Sequence, residues 1–494
     1  MTVTNRTSVV DRPVVATRKG TVRGVTEDGI ARFLGIPFAA PPYGALRFAL
    51  PQEHACWEGE RDASTFGPTP PQTVYANGIE RLMRSVQVEG DDILHLNIWT
   101  PQAALEGARL PVIVWIYGGA LIMGSNAVQL YDGSSFARDD AVFVAINYRV
   151  GVEGFAELDD APSNRGLADA IAALEWVRDE VAAFGGDPTN VTIAGQSAGG
   201  LVVAMLLASP RAEGLFHRAM IMSAAMGPAR EPEVDMGTAV AQHLGIPRTR
   251  EAFSTRTPME LAAAQSAVMA GGNAVSGGRY YVPVPGDELL PVNLWEAFQS
   301  GMSADIPVII GTTRDEHRFW YVSTALEQFI TPEVVTAALG WMGVLPDAYQ
   351  LYQRNRPGQS AAMVYGALSL DWVTRVGLNA YADVRVAQGA RTWVYEFAWE
   401  SPVMGLGAAH VVDLPFLFDH LAIEDATMLV GADAPQQVAD DMHGALVRFA
   451  KHGEADWEQW NASRPVMTFD APTSTVVHAP REEERLALTP GRMA

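Results

Sequence analysis

The chain has 494 residues, of which 48% are hydrophobic and 19% are charged, so a disordered chain is excluded. Its 57 acidic residues outnumber its 35 basic residues, and the formal charge of −22 argues against a nucleic-acid partner because phosphates would be repelled. The single cysteine, Cys56, excludes an internal disulfide and zinc sites built on two or four cysteines.

The composition and the N-terminal residues predict a cytoplasmic protein. One cysteine suits a reducing compartment, and MTVTNRTSVVDRPVV lacks the apolar run behind basic residues that marks a signal peptide. Two uncharged stretches, 110–131 and 188–210, are interrupted by small or polar residues and are interpreted as core segments rather than membrane spans. Lysine occurs only at Lys19 and Lys451, and this excess of arginine indicates a GC-rich bacterial source.

The first half of the chain is rich in predicted strands. Residues 19–25 and 31–39 flank the turn Glu-Asp-Gly at 27–29, which predicts a hairpin. Continuous apolar runs then predict strands that are buried on both faces of a mainly parallel sheet; they lie at 93–99, 111–117 and 141–148.

Strands alternate with helices further along the chain. Apolar residues recur every three or four positions over 166–184, which predicts a helix that ends at the Gly-Gly-Asp-Pro of 185–188. A strand at 191–195 and a buried helix at 201–209 follow. More strands are expected at 218–224, 306–312 and 392–399. This alternation indicates an α/β fold in a single domain over residues 1–494, with helix and loop insertions at about 230–300 and 325–390 that would form a cap.

The segment VTIAGQSAGGLVVAMLL, residues 191–207, contains a candidate nucleophile. Gly195 to Gly199 match G-x-S-x-G, with an apolar strand before the motif and an apolar helix after it. A strand-to-helix turn this sharp places the serine in a strained conformation, and the residues two before and two after it must lack bulky side chains. Ser197 is therefore the predicted nucleophile; the alternative is a glycine-rich turn whose serine only caps the helix.

A second glycine-rich turn predicts an oxyanion hole. WIYGGALIMGS, residues 115–125, follows a buried strand, and glycines let backbone N–H groups turn toward a ligand. The expected donors to a tetrahedral oxyanion are the amides of Gly118, Gly119, Ala120 and Ala198.

A serine nucleophile needs a positioned base, and histidine suits neutral pH. The order serine, acid, histidine places the base late in the chain. His410 lies in a small-residue loop after the strand at 392–399, which favours it as the base. The other late histidines lie in a helix-like segment or near the C-terminus: His443, His452 and His478. Asp315 and Glu316 both follow the strand at 306–312, and the residues alone do not decide which is the acid.

Several segments together resemble signatures of the type-B carboxylesterase family, which includes cholinesterases and bacterial para-nitrobenzyl esterases. The segments with this resemblance are FLGIPFAAPPYGALRF (33–48), DDILHLNIWTP (91–101), NYRVGVEGF (147–155), NRGLADAIAALEWV (164–177) and GDPTNVTIAGQSAGG (186–200). The resemblance implies an α/β-hydrolase fold with a central, mainly parallel sheet, flanking helices and helical cap insertions. It also implies chemistry that needs no cofactor and no metal.

The resemblance further implies site residues. The family's N-x-x-E-G corresponds to the segment that contains Glu316, and its G-A-x-H-G-x-E corresponds to residues 407–413, which supports His410. The implied triad is Ser197, His410 and Glu316. The implied oxyanion donors are the amides of Gly119, Ala120 and Ala198, with Gly118 supporting the loop.

This chain departs from the family pattern at three positions near the implied site. Ala120 stands in place of the third glycine of the oxyanion loop, and Val411 in place of the glycine after the histidine. Gln196 stands in place of the glutamate before the serine, which removes a negative charge near His410 and argues against a choline-like substrate. Two ion pairs are expected to be structural: Asp91 with Arg47, and Asp169 with Arg149.

The sequence thus predicts a serine hydrolase that cleaves carboxylic esters of small to medium apolar substrates through an acyl-enzyme. Residues expected to line the substrate pocket are Leu121, Ile122, Gln196, Phe319, Trp320 and Phe418. One alternative is an amidase or carbamate hydrolase with the same triad; another is a non-catalytic binding protein on the same fold. The expected partner is a small molecule, with no nucleic acid or membrane, and a monomer and a homodimer are both left open.

Overall fold

The computed structural model describes residues 11–227, 234–271, 280–324 and 326–489. Within this part of the chain, the strands form one eleven-stranded sheet and one three-stranded sheet. The strands are β1 (Val14–Ala16), β2 (Thr21–Arg23), β3 (Val25–Glu27), β4 (Ile30–Pro37), β5 (Glu60–Asp62), β6 (His95–Pro101), β7 (Leu110–Ile116), β8 (Val142–Ile146), β9 (Gly186–Gln196), β10 (Arg218–Met222), β11 (Val308–Thr313), β12 (Thr392–Phe397), β13 (Pro465–Phe469) and β14 (Thr475–His478).

The large sheet has the order β14-β13-β12-β11-β10-β9-β7-β8-β6-β4-β3. The strands from β8 to β13 in this order pair in parallel. Antiparallel pairs lie at the two ends of the sheet. The carboxyl ends of the parallel strands meet at one edge, where ligand sites of open α/β sheets are found.

Helices flank this sheet, so the central strands are buried on both faces and their sequences are continuously apolar. The helices are α1 (Ser134–Arg138), α2 (Gly151–Phe155), α3 (Arg165–Glu180), α4 (Ala198–Leu207), α5 (Met236–Leu244), α6 (Arg250–Ser254), α7 (Pro258–Ala270), α8 (Leu294–Gln299), α9 (Arg318–Ser323), α10 (Pro332–Met342), α11 (Pro346–Asn355), α12 (Ala361–Val373), α13 (Arg375–Ala387), α14 (Leu414–Leu417), α15 (Glu424–Val430), α16 (Gln436–His452) and α17 (Glu482–Ala487).

Most predicted elements are confirmed, with two boundaries corrected. The predicted hairpin exists as β3–β4, but its first strand is residues 25–27; the predicted segment 19–25 contains β2, which pairs with β1 and β5 in the small sheet. The seven apolar runs that follow correspond to β6 to β12. The helix expected after Gly200 begins earlier, at Ala198, directly behind Ser197. Gly199 and Gly200 lie in the first helical turn, where a Cβ on Gly199 would approach the Ile116 carbonyl oxygen of β7 to 2.0 Å and a Cβ on Gly200 the Met222 carbonyl oxygen of β10 to 2.8 Å.

The two predicted insertions contain the helices α5 to α8 and α10 to α13. Residues 230–233 and 272–279 of the first insertion lie outside the described residues. The helices α10 to α12 share a hydrophobic cluster of their own, separate from the cluster that surrounds the sheet. The role of these helices as a cap stays a prediction.

One of the two expected ion pairs is wrong. Arg149 does pair with Asp169, at 2.7 Å and fully buried. Arg47, however, pairs at 2.5 Å with Glu153 and not with Asp91, which is exposed. Glu153 lies on α2, which packs next to the loop of Arg47, and a buried guanidinium needs a buried carboxylate close to it.

None of the helices in the described ranges is long and apolar enough to cross a membrane. The same ranges contain no cluster of three or more His, Cys, Asp or Glu side chains that could hold a metal ion.

Candidate active site

Ser197 lies in a strained turn between β9 and α4. Its φ of 58° and ψ of −123° lie outside the regions that L-residues favour. A Cβ on Gly195 would approach the backbone of Gly199 to 2.5 Å, and a Cβ on Gly199 would approach the Ile116 carbonyl oxygen to 2.0 Å. The turn therefore requires glycine at both positions, as a nucleophile elbow does.

The Ser197 side chain is half-buried, so a ligand can reach it. Its backbone N–H donates to the Met222 carbonyl of β10 at 2.8 Å, which fixes the turn against the sheet. The serine precedes the first residue of α4, where the helix dipole favours negative charge.

The oxyanion loop passes beside this elbow. A Cβ on Gly118 would lie 2.7 Å from the Gln196 carbonyl oxygen and 3.1 Å from Ser197 Cβ, so only glycine permits this approach. Gly119 and Ala120 follow with φ of 125° and 55°. The amides of Gly119, Ala120 and Ala198 donate to no residue within the described ranges, so all three are free to bind an oxyanion.

His410 and Glu316 form a buried hydrogen bond. His410 Nδ1 lies 2.5 Å from Glu316 Oε2, and the two side chains are 6% and 4% exposed. Glu316 Oε1 also accepts from the backbone N–H of Thr313 at 3.0 Å. The carboxylate is thus fixed at the carboxyl end of β11 and sets which imidazole nitrogen carries the proton.

Backbone hydrogen bonds join the acid loop to the histidine loop. Asp315 N–H donates to the Ala408 carbonyl at 2.8 Å, and His410 N–H donates to the Glu316 carbonyl at 3.3 Å. The Arg318 guanidinium donates to the Leu406 carbonyl at 2.9 Å. Asp315, the other acid that the sequence left open, points its carboxylate at Arg314 instead, at 3.4 Å.

The second imidazole nitrogen is bonded to Gln196 rather than to Ser197. Gln196 Nε2 lies 3.1 Å from His410 Nε2, and the Gln196 side chain is buried at the end of β9. The histidine therefore bonds to the residue that precedes Ser197 in the chain, whereas Ser197 Oγ makes no hydrogen bond to His410 among the described residues.

Two aromatic rings from α9 contact the imidazole. The Trp320 ring centroid lies 4.8 Å from that of His410, and the Phe319 centroid lies at 6.1 Å. Leu121 is 2% exposed and Ile122 is half-buried, and both follow the oxyanion loop.

Phe418, by contrast, does not belong to a substrate pocket. Its ring is fully buried, with centroids of core aromatic rings at 5.0 to 5.6 Å on several sides: Trp115, Tyr131, Phe136 and Phe143. Phe418 follows α14, which packs on α16, and this places the ring in the core. Its predicted position in the pocket is therefore wrong.

Asp413 is a buried carboxyl for which the sequence predicts no role. Neither of its oxygens has a hydrogen-bond partner among the described residues. Burial, followed by the negative charge of Glu316, raises the pKa of Asp413 to about 7, against the opposing effect of His410. The Tyr395 hydroxyl nearby is also buried without a described partner, and burial raises the pKa of that phenol. In the sequence, the only indication of this buried carboxyl was an acidic residue three positions after His410.

The remaining late histidines lie away from this cluster. His443 bonds to the Leu417 carbonyl and to Asp139, and its pKa is lowered mainly by burial. His478 bonds to Ser463 on an exposed strand, and His452 ends α16.

Comparison with known proteins extends over nearly the whole chain. The carboxylesterase family model matches residues 11–486. Para-nitrobenzyl esterase from Bacillus subtilis is 33% identical and the match covers 97% of this chain and 99% of that protein. Phenmedipham hydrolase from Pseudarthrobacter oxydans is 34% identical, with 95% and 96% covered. A crystal structure of a Geobacillus stearothermophilus carboxylesterase superimposes with a TM-score of 0.85 at 34% identity, covering 96% of this chain and all of that one. The chain therefore belongs to the carboxylesterase family and is an ester-hydrolysing enzyme with the α/β-hydrolase fold.

Proposed function

We propose that Ser197, His410 and Glu316 form the catalytic triad of this esterase and that its substrates are small to medium apolar carboxylic esters. The observation that carries the proposal is the buried bond of 2.5 Å between His410 Nδ1 and Glu316, beside a serine in a strained elbow. An acid that orients an imidazole next to an activated serine is the arrangement that acyl transfer requires.

The first step acylates Ser197. Its Oγ attacks the ester carbonyl carbon while His410 Nε2 takes the hydroxyl proton. The carbonyl oxygen becomes an oxyanion, which accepts from the free amides of Gly119, Ala120 and Ala198. His410 then donates the proton to the leaving alkoxide, so the alcohol departs and the acyl group stays on Ser197.

The second step releases the acid. Water gives its proton to His410 and attacks the acyl carbonyl, and the same amides bind the second oxyanion. Ser197 leaves as it regains the proton from the imidazolium. Glu316 stabilises the imidazolium in both steps without taking its proton.

The surroundings of the imidazole support an uncharged, apolar substrate. Phe319 and Trp320 supply aromatic surface next to His410, and Gln196 carries no charge that would attract a cation. Ala120 is exposed in the oxyanion loop, and its methyl group adds bulk where a glycine would leave space for a branched acyl group.

The test is a series of para-nitrophenyl esters with acyl chains from two to twelve carbons, together with an anilide, phenmedipham and the Ser197→Ala variant. We expect hydrolysis of the short and medium esters, loss of it in Ser197→Ala, and slow or no anilide cleavage. Faster cleavage of the anilide or of phenmedipham than of any ester would instead favour the amidase or carbamate hydrolase alternative. Undiminished ester hydrolysis by Ser197→Ala would contradict the proposed nucleophile.

A cytoplasmic location and a bacterial source are also part of the proposal. They are supported by the single cysteine, whose thiol is free and exposed, and by the excess of arginine over lysine.

A further inference from the structure

The hydrogen bond between Gln196 and His410 has a definite direction. Glu316 is an acceptor, so His410 Nδ1 is the nitrogen that carries the proton in the neutral imidazole. His410 Nε2 then holds a lone pair, and the Gln196 amide N–H must be the donor across the 3.1 Å contact. The Gln196 amide thus occupies the lone pair that the proposed mechanism assigns to the Ser197 proton.

The sheet holds Gln196 in this place, and the amide oxygen of its side chain offers a second way to hydrogen-bond to His410. Its backbone pairs with Met222 of β10, and the side chain is 1% exposed. Its Oε1 accepts no hydrogen bond from any residue of the described ranges. Rotation of the amide by half a turn would present Oε1 to His410, which suits an imidazolium that carries a proton on Nε2.

We propose that Gln196 is a positioning residue that holds the neutral base away from Ser197 in the resting enzyme, releases it on substrate binding, and accepts from the imidazolium after amide rotation. The inference rests on the proposed function of Ser197 and His410. The bond between Gln196 and His410 lowers the reactivity of Ser197 in the resting enzyme, because it must break before His410 can take the serine proton.

The charged and titratable groups around the imidazole are unchanged by substitution at Gln196. They are Glu316, which bonds to the ring, Asp413 in the histidine's own loop, and Tyr395 of β12, which lies near both carboxyls. The contacts from α9 are the uncharged rings of Phe319 and Trp320. A change in pH dependence in a Gln196 variant can therefore be assigned to that position.

The experiment measures the second-order rate at which a fluorophosphonate labels Ser197 at pH 8, by mass spectrometry of the intact protein. The variant Gln196→Met keeps the length of the side chain and removes the donor. We expect it to be labelled roughly twofold to tenfold faster than the wild type, which is the factor that one competing neutral hydrogen bond supplies. A rate equal to or lower than that of the wild type would overturn the inference.

Gln265→Met is the matched control. Gln265 is 2% exposed and accepts from the Tyr281 hydroxyl at 2.8 Å, so this variant also loses a buried amide hydrogen bond. It should be labelled at the wild-type rate. Equal acceleration of labelling in both variants would show that losing any buried amide hydrogen bond has this effect, and it would overturn the inference.

A second variant, Gln196→Glu, tests the same contact through the pH profile and decides the matter if Gln196→Met does not fold. A carboxylate accepts from the imidazolium and cannot donate to the neutral base, so the acid limb of the labelling profile should move up by about one pH unit. Superimposable profiles would contradict the inference. Absence of any Ser197 adduct in the wild type would instead remove the proposed function, so the two failures are distinguishable.

Discussion

Ser197 carries backbone strain that the surrounding elements maintain. A φ of 58° with ψ of −123° costs on the order of 1–3 kcal/mol, and the packing of β9 against α4, together with the Ser197 N–H bond to the Met222 carbonyl, keeps the residue there. Val411, directly after the proposed base, also has a positive φ of 68°, which is unusual for a β-branched residue. Strain on both sides of the proposed proton transfer is typical of functional sites.

The first prediction at this scale separates the two neighbouring acids. Glu316→Gln keeps the shape of the side chain and removes the charge that supports the imidazolium, so kcat should fall by about 10⁴. Asp315→Asn changes a carboxylate that is 27% exposed and points at Arg314, so kcat should stay within about twofold. Steady-state hydrolysis of one para-nitrophenyl ester measures both. A larger loss in Asp315→Asn than in Glu316→Gln would contradict the assignment of the acid.

The second prediction concerns the buried carboxyl of Asp413. Its pKa is raised to about 7 in the folded protein, chiefly by burial, whereas an unfolded aspartate titrates near pH 3.9. Between these values the native state binds more protons than the unfolded state, so this group lowers stability as pH rises. Asp413→Asn should therefore gain stability relative to the wild type between pH 4 and pH 7, by roughly 1.4 kcal/mol per pH unit.

Urea unfolding of the wild type and Asp413→Asn at pH 5 and pH 7.5 measures this gain. The free energy of unfolding of Asp413→Asn should exceed that of the wild type by more at pH 7.5 than at pH 5. The same difference at both values would show that Asp413 is ionised in the folded protein throughout this range.

The sequence could predict part of the residue-scale site. The strand, the glycines and the helix around Ser197 are contiguous, so their local pattern identifies the turn. Asp315 and Glu316 are adjacent after the same strand, and their roles differ only because the acid loop bonds to residues 405–410 far along the chain. The contact between Gln196 and His410 likewise depends on the approach of two distant loops and has no local signal.

At the scale of elements, the elbow depends on the close approach of β9, α4 and the end of β7. A third prediction compares two helical glycines. Gly199→Ala places a Cβ 2.0 Å from the Ile116 carbonyl oxygen, and rigid backbone cannot yield, so unfolding free energy should fall by roughly 3 kcal/mol.

Gly340→Ala is the matched variant. Gly340 lies on the exposed side of α10 with nothing near its Cβ position, so alanine should stabilise the protein by roughly 0.5–1 kcal/mol. Chemical denaturation of both variants gives the comparison. Equal effects would mean that the elbow can relax and that its tight packing is not required.

The elements themselves were predictable where burial dominates. Strands β7, β8 and β9 have apolar runs because helices cover both faces of the sheet. Strands β13 and β14 were not predicted: β14 is exposed at every residue, and β13 has only five residues, whose burial does not alternate. Neither pattern stands out from a loop in the sequence alone.

At the scale of the whole molecule, a buried ionic network joins the C-terminal helix α17 to the helices of the second insertion. Glu484 is 1% exposed and contacts Arg356 at 2.6 Å and Arg375 at 3.7 Å. Arg375 also pairs with Asp371 of α12 at 2.6 Å. The sequence did not predict this network, because its members are distributed over the last third of the chain.

The fourth prediction tests that network. Glu484→Gln leaves Arg356 and Arg375 with less buried negative charge, so unfolding free energy should fall by about 3 kcal/mol. Glu483→Gln changes the neighbouring acid, which accepts from the exposed Asn355 amide and forms no ion pair within the described ranges, and this variant should have little effect. Urea denaturation compares the two variants. A similar small effect in both would show that α17 is not held by this contact.

The central claim is that Ser197 is the residue acylated during catalysis, and trapping it measures this most directly. The wild-type protein should be treated with a fluorophosphonate, digested and sequenced by mass spectrometry, beside the Ser197→Ala and His410→Asn variants. We expect one adduct, on Ser197, that is absent in Ser197→Ala and forms much more slowly in His410→Asn. An adduct on another serine, or full loss of ester hydrolysis without any modification of Ser197, would contradict the account.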